Sequence, residues 1–581
     1  MRALAALVAA AAVVAAADVP RADLILHGGR VWTVDAARPE AQAVAVAGDR
    51  IVAIGSDAEV LARRGPATEV VDLRGRLLLP GFNDAHTHFE NACDWLFNVS
   101  LYDANDEKTL ASRLEAYVAR VPEGMWIKGG DFGAAAAWAA EAKGAPAPAP
   151  WQPSLAAIDA IAPRHPVLFK RHDGAFFANS LALARARFTK DTPDPRGGRF
   201  GRDAKTGELD GMLFGRAGER VAELMPPPTL ESKLVGARAA LADLRRHGIT
   251  SIQDVARLDE VTQKQVFHTH VERSSTDLRI FRELQRRGEL TARVYAFLTL
   301  PVWKDVLEAG IRPRTDEGLI RFGALKGFVD GFLMEAPYAD NPRYAGVFTF
   351  RFVDEARMAA DIAAADRHGF DPVVHVTGDK AHRLLLDWYE AAMQANPPRE
   401  RRFRVIHAWY PNPREIERIG RHRMFVDITP HHLVRTLRTV DRSLGPERAR
   451  TAHPWRMLGK AGARLNIVSD WPGSYNEQES VPLAPLDNIA ITISRQAPDG
   501  TPPGGWHPEE RLTVREAIEA YTMNPALASW EEDRKGSITP GKLADLVVLS
   551  RDILDADAAA VRGTAVDLTI LGGKVIYRRT E

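Results

Sequence analysis

Two histidines one residue apart, His86-Thr87-His88, follow the apolar run Leu77-Leu78-Leu79-Pro80-Gly81-Phe82-Asn83-Asp84-Ala85. Side chains two apart on a strand point to the same side, so an imidazole pair at a strand end can grip one divalent ion. A second pair, His268-Thr269-His270, lies in the polar stretch Glu260 to Leu290, which reads as helix. On a helix, positions i and i+2 do not face each other, so that pair is expected on a solvated face and not at a metal.

Four more residues close strand-like runs further along. His375 ends Asp371-Pro372-Val373-Val374-His375, and His407 ends Phe403-Arg404-Val405-Ile406-His407. Lys326 ends the run from Ile320, and Asp470 follows the run from Arg464 to Ser469. Neutral histidines with a carboxylate make a nitrogen and oxygen donor set suited to Zn²⁺ or a similar divalent ion, one or two of them. A buried lysine loses its proton readily, and Lys326 as a free amine can take up CO₂ to become a carbamate bridging two metals.

The chemistry to expect is hydrolytic. A divalent ion lowers the pKa of bound water from 15.7 towards about 7, making hydroxide available to attack a carbonyl carbon. Asp470 is placed to take the water proton and pass it to a leaving nitrogen. His407, where it is not a ligand, is placed to stabilise the oxyanion. Aromatic residues follow several of these runs, and Trp409, Trp471 and Tyr338 are candidates to line a substrate pocket.

Residues this far apart in sequence meet only if the elements carrying them converge. The runs Ile249 to Ile252, Ala292 to Phe297, Ile320 to Lys326, Pro372 to His375, Phe403 to His407, Met424 to Ile428 and Arg464 to Ser469 alternate with helical stretches. Repeated alternation of this kind argues for parallel β/α units and favours a closed barrel, whose strand C-termini share one mouth. The barrel is expected over 81–534. Roughly Leu101 to Pro228 is an insertion after the first barrel strand, and its Ala-, Pro- and Trp-rich stretch Ala134 to Pro153 reads as irregular surface or lid. Whether the insertion folds separately is open from the sequence. Short strands, with a Gly48-Asp49 hairpin turn, fill 18–80, and strands recur over 535–581. The two ends together are expected to form one composite β-sandwich domain.

Totals exclude some classes. The 581 residues are 45% hydrophobic, enough for a large domain and a smaller one. Lys+Arg and Asp+Glu both number 76 and no basic stretch stands out, which argues against nucleic acid as a partner. Met1-Arg2, the apolar run Ala3 to Val14 and Ala15-Ala16-Ala17 have the three regions of a cleaved secretory signal, residues 1–17. The expected location is therefore periplasmic or secreted, with no stable membrane anchor after cleavage. Cys93 is the single cysteine and has no disulfide partner in the chain. The expected partner is a small-molecule substrate, and a homodimer stays open.

The motifs, in order, resemble the amidohydrolase superfamily, and within it the amidohydrolase-3 group of YtcJ-like proteins that includes N-substituted formamide deformylases. The residues that carry this are Pro80-Gly81-Phe82 leading to His86 and His88, Gly248-Ile249-Thr250-Ser251, Lys326 with Asp330-Gly331, and His375 with Gly378-Asp379. They continue with His407, Ser469-Asp470-Trp471-Pro472, Tyr521 to Ala526, and Gly541-Lys542-Leu543-Ala544-Asp545-Leu546. The resemblance covers nearly the whole mature chain and implies a (β/α)₈ TIM barrel. It also implies that His86, His88 and Asp470 hold one ion, that His375 and His407 hold a second or bind substrate, and that Lys326, if carboxylated, bridges them.

The sequence departs from the group's pattern at three places expected to line the pocket. His172-Asp173-Gly174 stands where Asp-Gly-His is common, Gly215 stands where relatives often have glutamate, and Phe332-Leu333-Met334-Glu335 replaces a small-residue and Arg-Thr stretch. The expected function is cleavage of an amide-like C–N bond, such as that of an N-substituted formamide or N-acyl compound. Cyclic ureide, lactone and deaminase-type hydrolysis remain alternatives on the same site. A non-catalytic periplasmic binding protein is the rival class, and the presence of all six chemically apt residues argues against it.

Overall fold

Eight segments pair side by side as parallel strands: β1 (Phe82–Thr87), β2 (Ile249–Arg257), β3 (Arg293–Thr299), β4 (Ile320–Phe328), β5 (Asp371–Val376), β6 (Arg404–His407), β7 (Phe425–Ile428) and β8 (Arg464–Ile467). The computed structural model describes residues 21–580 except 102, 135, 138–139, 141–145, 147, 227, 259–274, 331–353, 438–439 and 473–482. The leader 1–17, the pair His268 and His270, and Tyr338 therefore lie outside the described residues. β8 meets β1 at the mouth, through a parallel bridge between Thr87 and Trp471. There the Asp470 amide donates to His86 O at 3.0 Å and the His88 amide to Trp471 O at 2.9 Å. Parallel neighbours need crossover connections, supplied by helices such as Leu230–Arg246, Leu278–Arg286, Asp379–Ala395 and Pro413–Arg421. The architecture is a (β/α)₈ TIM barrel.

The barrel's interior is filled, not hollow. Val255, Tyr295, Phe297, Ala324, Val373 and Ile406 cluster inside it. Arg404 pairs with Asp427 and donates to Gln253 Oε1 at 2.5 Å and to Ala85 O at 2.7 Å. Such a buried pair survives only with its remaining donors satisfied, and here they tie four strands together beneath the mouth. The opposite end is closed by the helices Val514–Ala520 and Met523–Ala528: Tyr521 O accepts from the Asn83 amide at 2.8 Å, and Pro525 O from Gln253 Nε2 at 2.8 Å.

Two further sheets draw on the chain ends. One contains Ala22–His27, Ala43–Ala47, Arg50–Gly55 and Arg64–Asp72; the other joins Glu40–Ala41, Arg30–Trp32 and Leu77–Pro80 to Leu546–Leu549, Val566–Leu571 and Lys574–Arg578. Leu24, Val46 and Leu78 share a core with Leu546, Val548 and Ile570. Arg293 of β3 bonds Asp545 at 2.7 Å and docks this domain on the barrel.

The insertion between β1 and the helix Leu230–Arg246 has its own six-stranded sheet, with order Gly198–Arg202, Leu209–Gly215, Phe176–Ala178, Val167–Arg171, Ile127–Phe132, Val99–Ser100. Leu101, Leu110, Leu114, Phe132, Phe169 and Phe177 give it a core separate from the barrel's.

Candidate metal centre

Parallel register brings the strand ends level. Thr87 pairs with Asp254, Phe328 with His375, and Val376 with His407. Along β1, Thr87 turns away from the mouth and donates to Asp254 Oδ1 at 2.7 Å. His86 and His88, on the other face, both turn to Asp470, with Nε2 atoms 3.1 Å and 3.2 Å from its Oδ1. This is the alternation that a strand imposes. Lys326 Nζ reaches to 3.5 Å from His86 Nε2. The His375 and His407 rings sit 4.6 Å apart between centroids, and those of His86 and His407 5.8 Å apart. The structure thus brings His86, His88, Lys326, His375, His407 and Asp470 together, all of them buried.

Two of these residues have backbone that side chains other than glycine rarely adopt. His407 has φ +75° and Asp470 φ +59°. Such conformations cost of order 1–3 kcal/mol each and persist where the surroundings enforce them. Here His407 is the last residue of β6 and Asp470 lies just beyond β8, where the chain turns and projects each side chain into the mouth.

Burial sets the charge states. It pushes the His86, His375 and His407 imidazoles well below their usual range, so all three are neutral at pH 7. It lowers Lys326 to about 7, against the opposing pull of Asp470 and Asp427. Burial alone would raise Asp470, but hydrogen bonds from His432, His86 and His88 outweigh it and hold the carboxylate well below its ordinary value. Beneath it, burial raises Asp84 to about 7, while its Oδ1 accepts the Ser469 amide at 3.1 Å and the His86 amide at 3.3 Å. Asp330, raised by burial to about 6, binds the Thr377 and Gly378 amides at 2.9 Å and 2.7 Å.

The donor set fits a divalent cation. His86, His407 and Asp470 each offer one ligand atom, and these atoms all lie within 4.8 Å of one another. Neutral imidazoles and an ionised carboxylate are ligand types that such an ion takes.

One site residue escaped the sequence reading. His432, on the helix Pro430–Thr436 that follows β7, places Nε2 3.3 Å from Asp470 Oδ2. A scan restricted to residues that end strands passes over it, whereas a scan of each loop and first helical turn after a strand would have found Thr429-Pro430-His431-His432.

Of the aromatic candidates, Trp409 and Trp471 lie close to the centre and are buried. Trp409 is buried with its ring 5.2 Å from His432, 6.3 Å from His407 and 5.9 Å from His453. Trp471 is buried where β8 meets β1, its amide donating to Ser469 Oγ at 3.0 Å. Of the departures, Asp173 is paired with Arg171 at 2.8 Å in the insertion sheet. Gly215 has φ +53°, and a Cβ there would come 2.4 Å from Gly197 O, so a side chain does not fit this turn. The stretch 332–335 lies outside the described residues.

A parallel eight-stranded barrel with histidines, a lysine and an aspartate at its C-terminal mouth defines a class, the amidohydrolase type of barrel hydrolase. Comparison with known proteins agrees. The amidohydrolase-3 model, described as the Amidohydrolase family, matches residues 69–577. Protein LONG AFTER FAR-RED 3 of Arabidopsis thaliana is 30% identical over 574 residues, covering 96% of this chain and 92% of that protein. N-substituted formamide deformylase of Arthrobacter pascens is 27% identical over 589 residues, covering 96% and 99%. The fold is also that of an uncharacterized metal-dependent hydrolase from Pyrococcus horikoshii OT3, with TM-score 0.66, 20% identity, and coverage of 92% and 99%. The chain belongs to the amidohydrolase family, whose members are hydrolases.

Proposed function

We propose that this protein is a metal-dependent amidohydrolase that cleaves the C–N bond of an amide-like small molecule, with N-substituted formamides and N-acyl compounds as the substrate class. The observation that carries the reading is the gathering of His86 and His88 around Asp470 Oδ1 at 3.1–3.2 Å, beside Lys326, His375 and His407. The similarity to an N-substituted formamide deformylase supports the choice of bond.

His86, His88 and Asp470 would hold one divalent ion, for which Zn²⁺ suits the nitrogen-rich donors. His375 and His407 would serve a second ion or the substrate, and Lys326, if carboxylated, would bridge the two. When bound, the cation supplies Lewis-acid charge that polarises a carbonyl and acidifies water. Asp470, ionised at neutral pH, accepts a proton from the attacking water at a carboxylate oxygen and delivers it to the leaving nitrogen. Thr429 Oγ1 holds His407 Nδ1 at 2.9 Å, which leaves Nε2 as the ring atom to serve the metal or the carbonyl oxygen. The products are a carboxylic acid, formic acid for a formamide, and an amine.

The test is a screen of the Zn²⁺-loaded protein against N-alkyl and N-aryl formamides, N-acyl amines and cyclic ureides, reading free amine and acid. Amine release from a formamide or N-acyl compound, lost on chelation, is the expected result. Turnover confined to the cyclic ureides would refute the assigned substrate class.

A further inference from the structure

Asp470 turns its two oxygens to different neighbours. Oδ1 faces His86 and His88, at 3.1 Å and 3.2 Å, while Oδ2 faces His432 Nε2 at 3.3 Å. The first two nitrogens are those that the proposed ion requires. The third comes from the helix Pro430–Thr436. We propose that His432 is a positioning residue for this carboxylate: its ring N–H holds Oδ2, so that Oδ1 stays turned towards His86 and His88. This rests on the metal-centre reading above.

The backbone near Asp470 is committed elsewhere. The Asp470 amide donates to His86 O, the Ser469 amide to Asp84 Oδ1 and the Trp471 amide to Ser469 Oγ. The first two of these bonds close the barrel and the third is local; none engages the Asp470 side chain. The terminal torsion of an aspartate is broad, so the carboxylate plane needs an external anchor.

His432 is built to be that anchor, because its ring is itself confined. Trp409 meets it edge to face at 5.2 Å and 84°, and His407 lies 4.9 Å away. The helix is tied down one turn later, where Thr436 Oγ1 meets His453 Nε2 at 2.9 Å, and the His453 amide binds Trp409 O at 2.7 Å. Trp409, His432 and His453 thus form one wall behind Asp470. Groups that orient a metal ligand typically cost ~10- to 100-fold in metal affinity when removed.

The experiment measures Zn²⁺ affinity by competition with a chromogenic chelator for wild type, His432→Ala, His432→Phe, His432→Gln and His431→Gln. Each variant's thermal melt and the visible spectrum of its Co²⁺ form are recorded alongside. His432→Ala and His432→Phe are expected to bind Zn²⁺ ~10- to 100-fold more weakly, with a shifted Co²⁺ spectrum. The phenylalanine keeps the contact with Trp409 and carries the test should the alanine variant not fold. His432→Gln, whose amide N–H can replace the ring N–H, is expected to recover most of the loss. His431→Gln, which alters the same helix, should leave affinity within about twofold. Wild-type affinity and spectrum in folded His432→Phe would overturn the assignment, as would equal losses in His431→Gln. Failure of the wild type to bind stoichiometric Zn²⁺ would instead overturn the metal-centre reading itself.

Discussion

His86 and Asp470 meet twice: their side chains face each other at 3.1 Å, and the Asp470 amide donates to His86 O at 3.0 Å. The contact that closes the barrel is therefore also the contact that assembles the candidate centre. Chemistry and fold share these two residues, and substitutions there separate them only when the backbone bond is left in place.

Asp470→Asn keeps that backbone bond and the side chain's volume while removing the charge. On a confirmed substrate kcat should fall by at least about 100-fold, the lower end of what a positioned acid-base group contributes, with the circular dichroism spectrum unchanged. Near-normal turnover would show that the proton passes through another group.

Lys326→Met replaces a buried amine with an apolar chain of similar length. Burial already lowers this lysine to about 7, so its charged form is disfavoured where it lies, and an apolar chain of the same length removes that desolvation cost. The metal-free variant should melt at a higher temperature than wild type and be inactive on every substrate tested. A lower melting temperature would mean that the amine's contact with His86 stabilises the fold. Native mass spectrometry of the wild type in bicarbonate, read for one added carboxyl group, checks the bridging role directly.

Gly236 of the helix Leu230–Arg246 allows close approach to the helix Phe89–Phe97, which begins just after His88. A Cβ there would lie 2.3 Å from Cys93 O. Gly236→Ala should destabilise by about 1–3 kcal/mol, the usual cost of overpacking, seen as a lower urea midpoint at unchanged slope. An unchanged midpoint would mean that the two helices separate at little cost.

Much of the centre was legible because a parallel barrel turns sequence order into geometry. Each apolar run ends at one rim, so His86, His88, Lys326, His375, His407 and Asp470 could be read by asking what closes each run. His432 could not be read that way, because it sits inside a helical turn and the adjacent His431 is an equal candidate from spacing alone. The insertion sheet was also opaque. Gly198–Arg202 reads Gly-Arg-Phe-Gly-Arg, and two glycines with two arginines carry no strand alternation. Its order comes from pairing with Leu209–Gly215, a tertiary effect that no local pattern announces. Gly541 to Leu546 was legible as a motif but not in its role, which appears only when Asp545 is seen bonded to Arg293 across the domain junction.

His382 gives the fold an acid limit independent of the centre. Burial holds it at about 4, although Gly378 O accepts at Nδ1. The unfolded histidine titrates near 6.5, so between these values the unfolded chain binds the extra proton. Stability is full above about pH 6.5 and is lost as pH falls towards 4, by up to about 3 kcal/mol at ~1.36 kcal/mol per unit. Melting temperatures across pH 4–7 should fall less steeply for His382→Gln than for wild type. Equal slopes would assign the acid limit to other groups.

The most direct measurement is the divalent-metal content of the purified protein by elemental mass spectrometry, beside that of a folded His86→Ala variant after identical Zn²⁺ loading and desalting. The expected result is at least one ion per chain in the wild type and a substoichiometric amount in the variant. Equal content in both, or none in the wild type, would contradict a metal centre built on His86, His88 and Asp470.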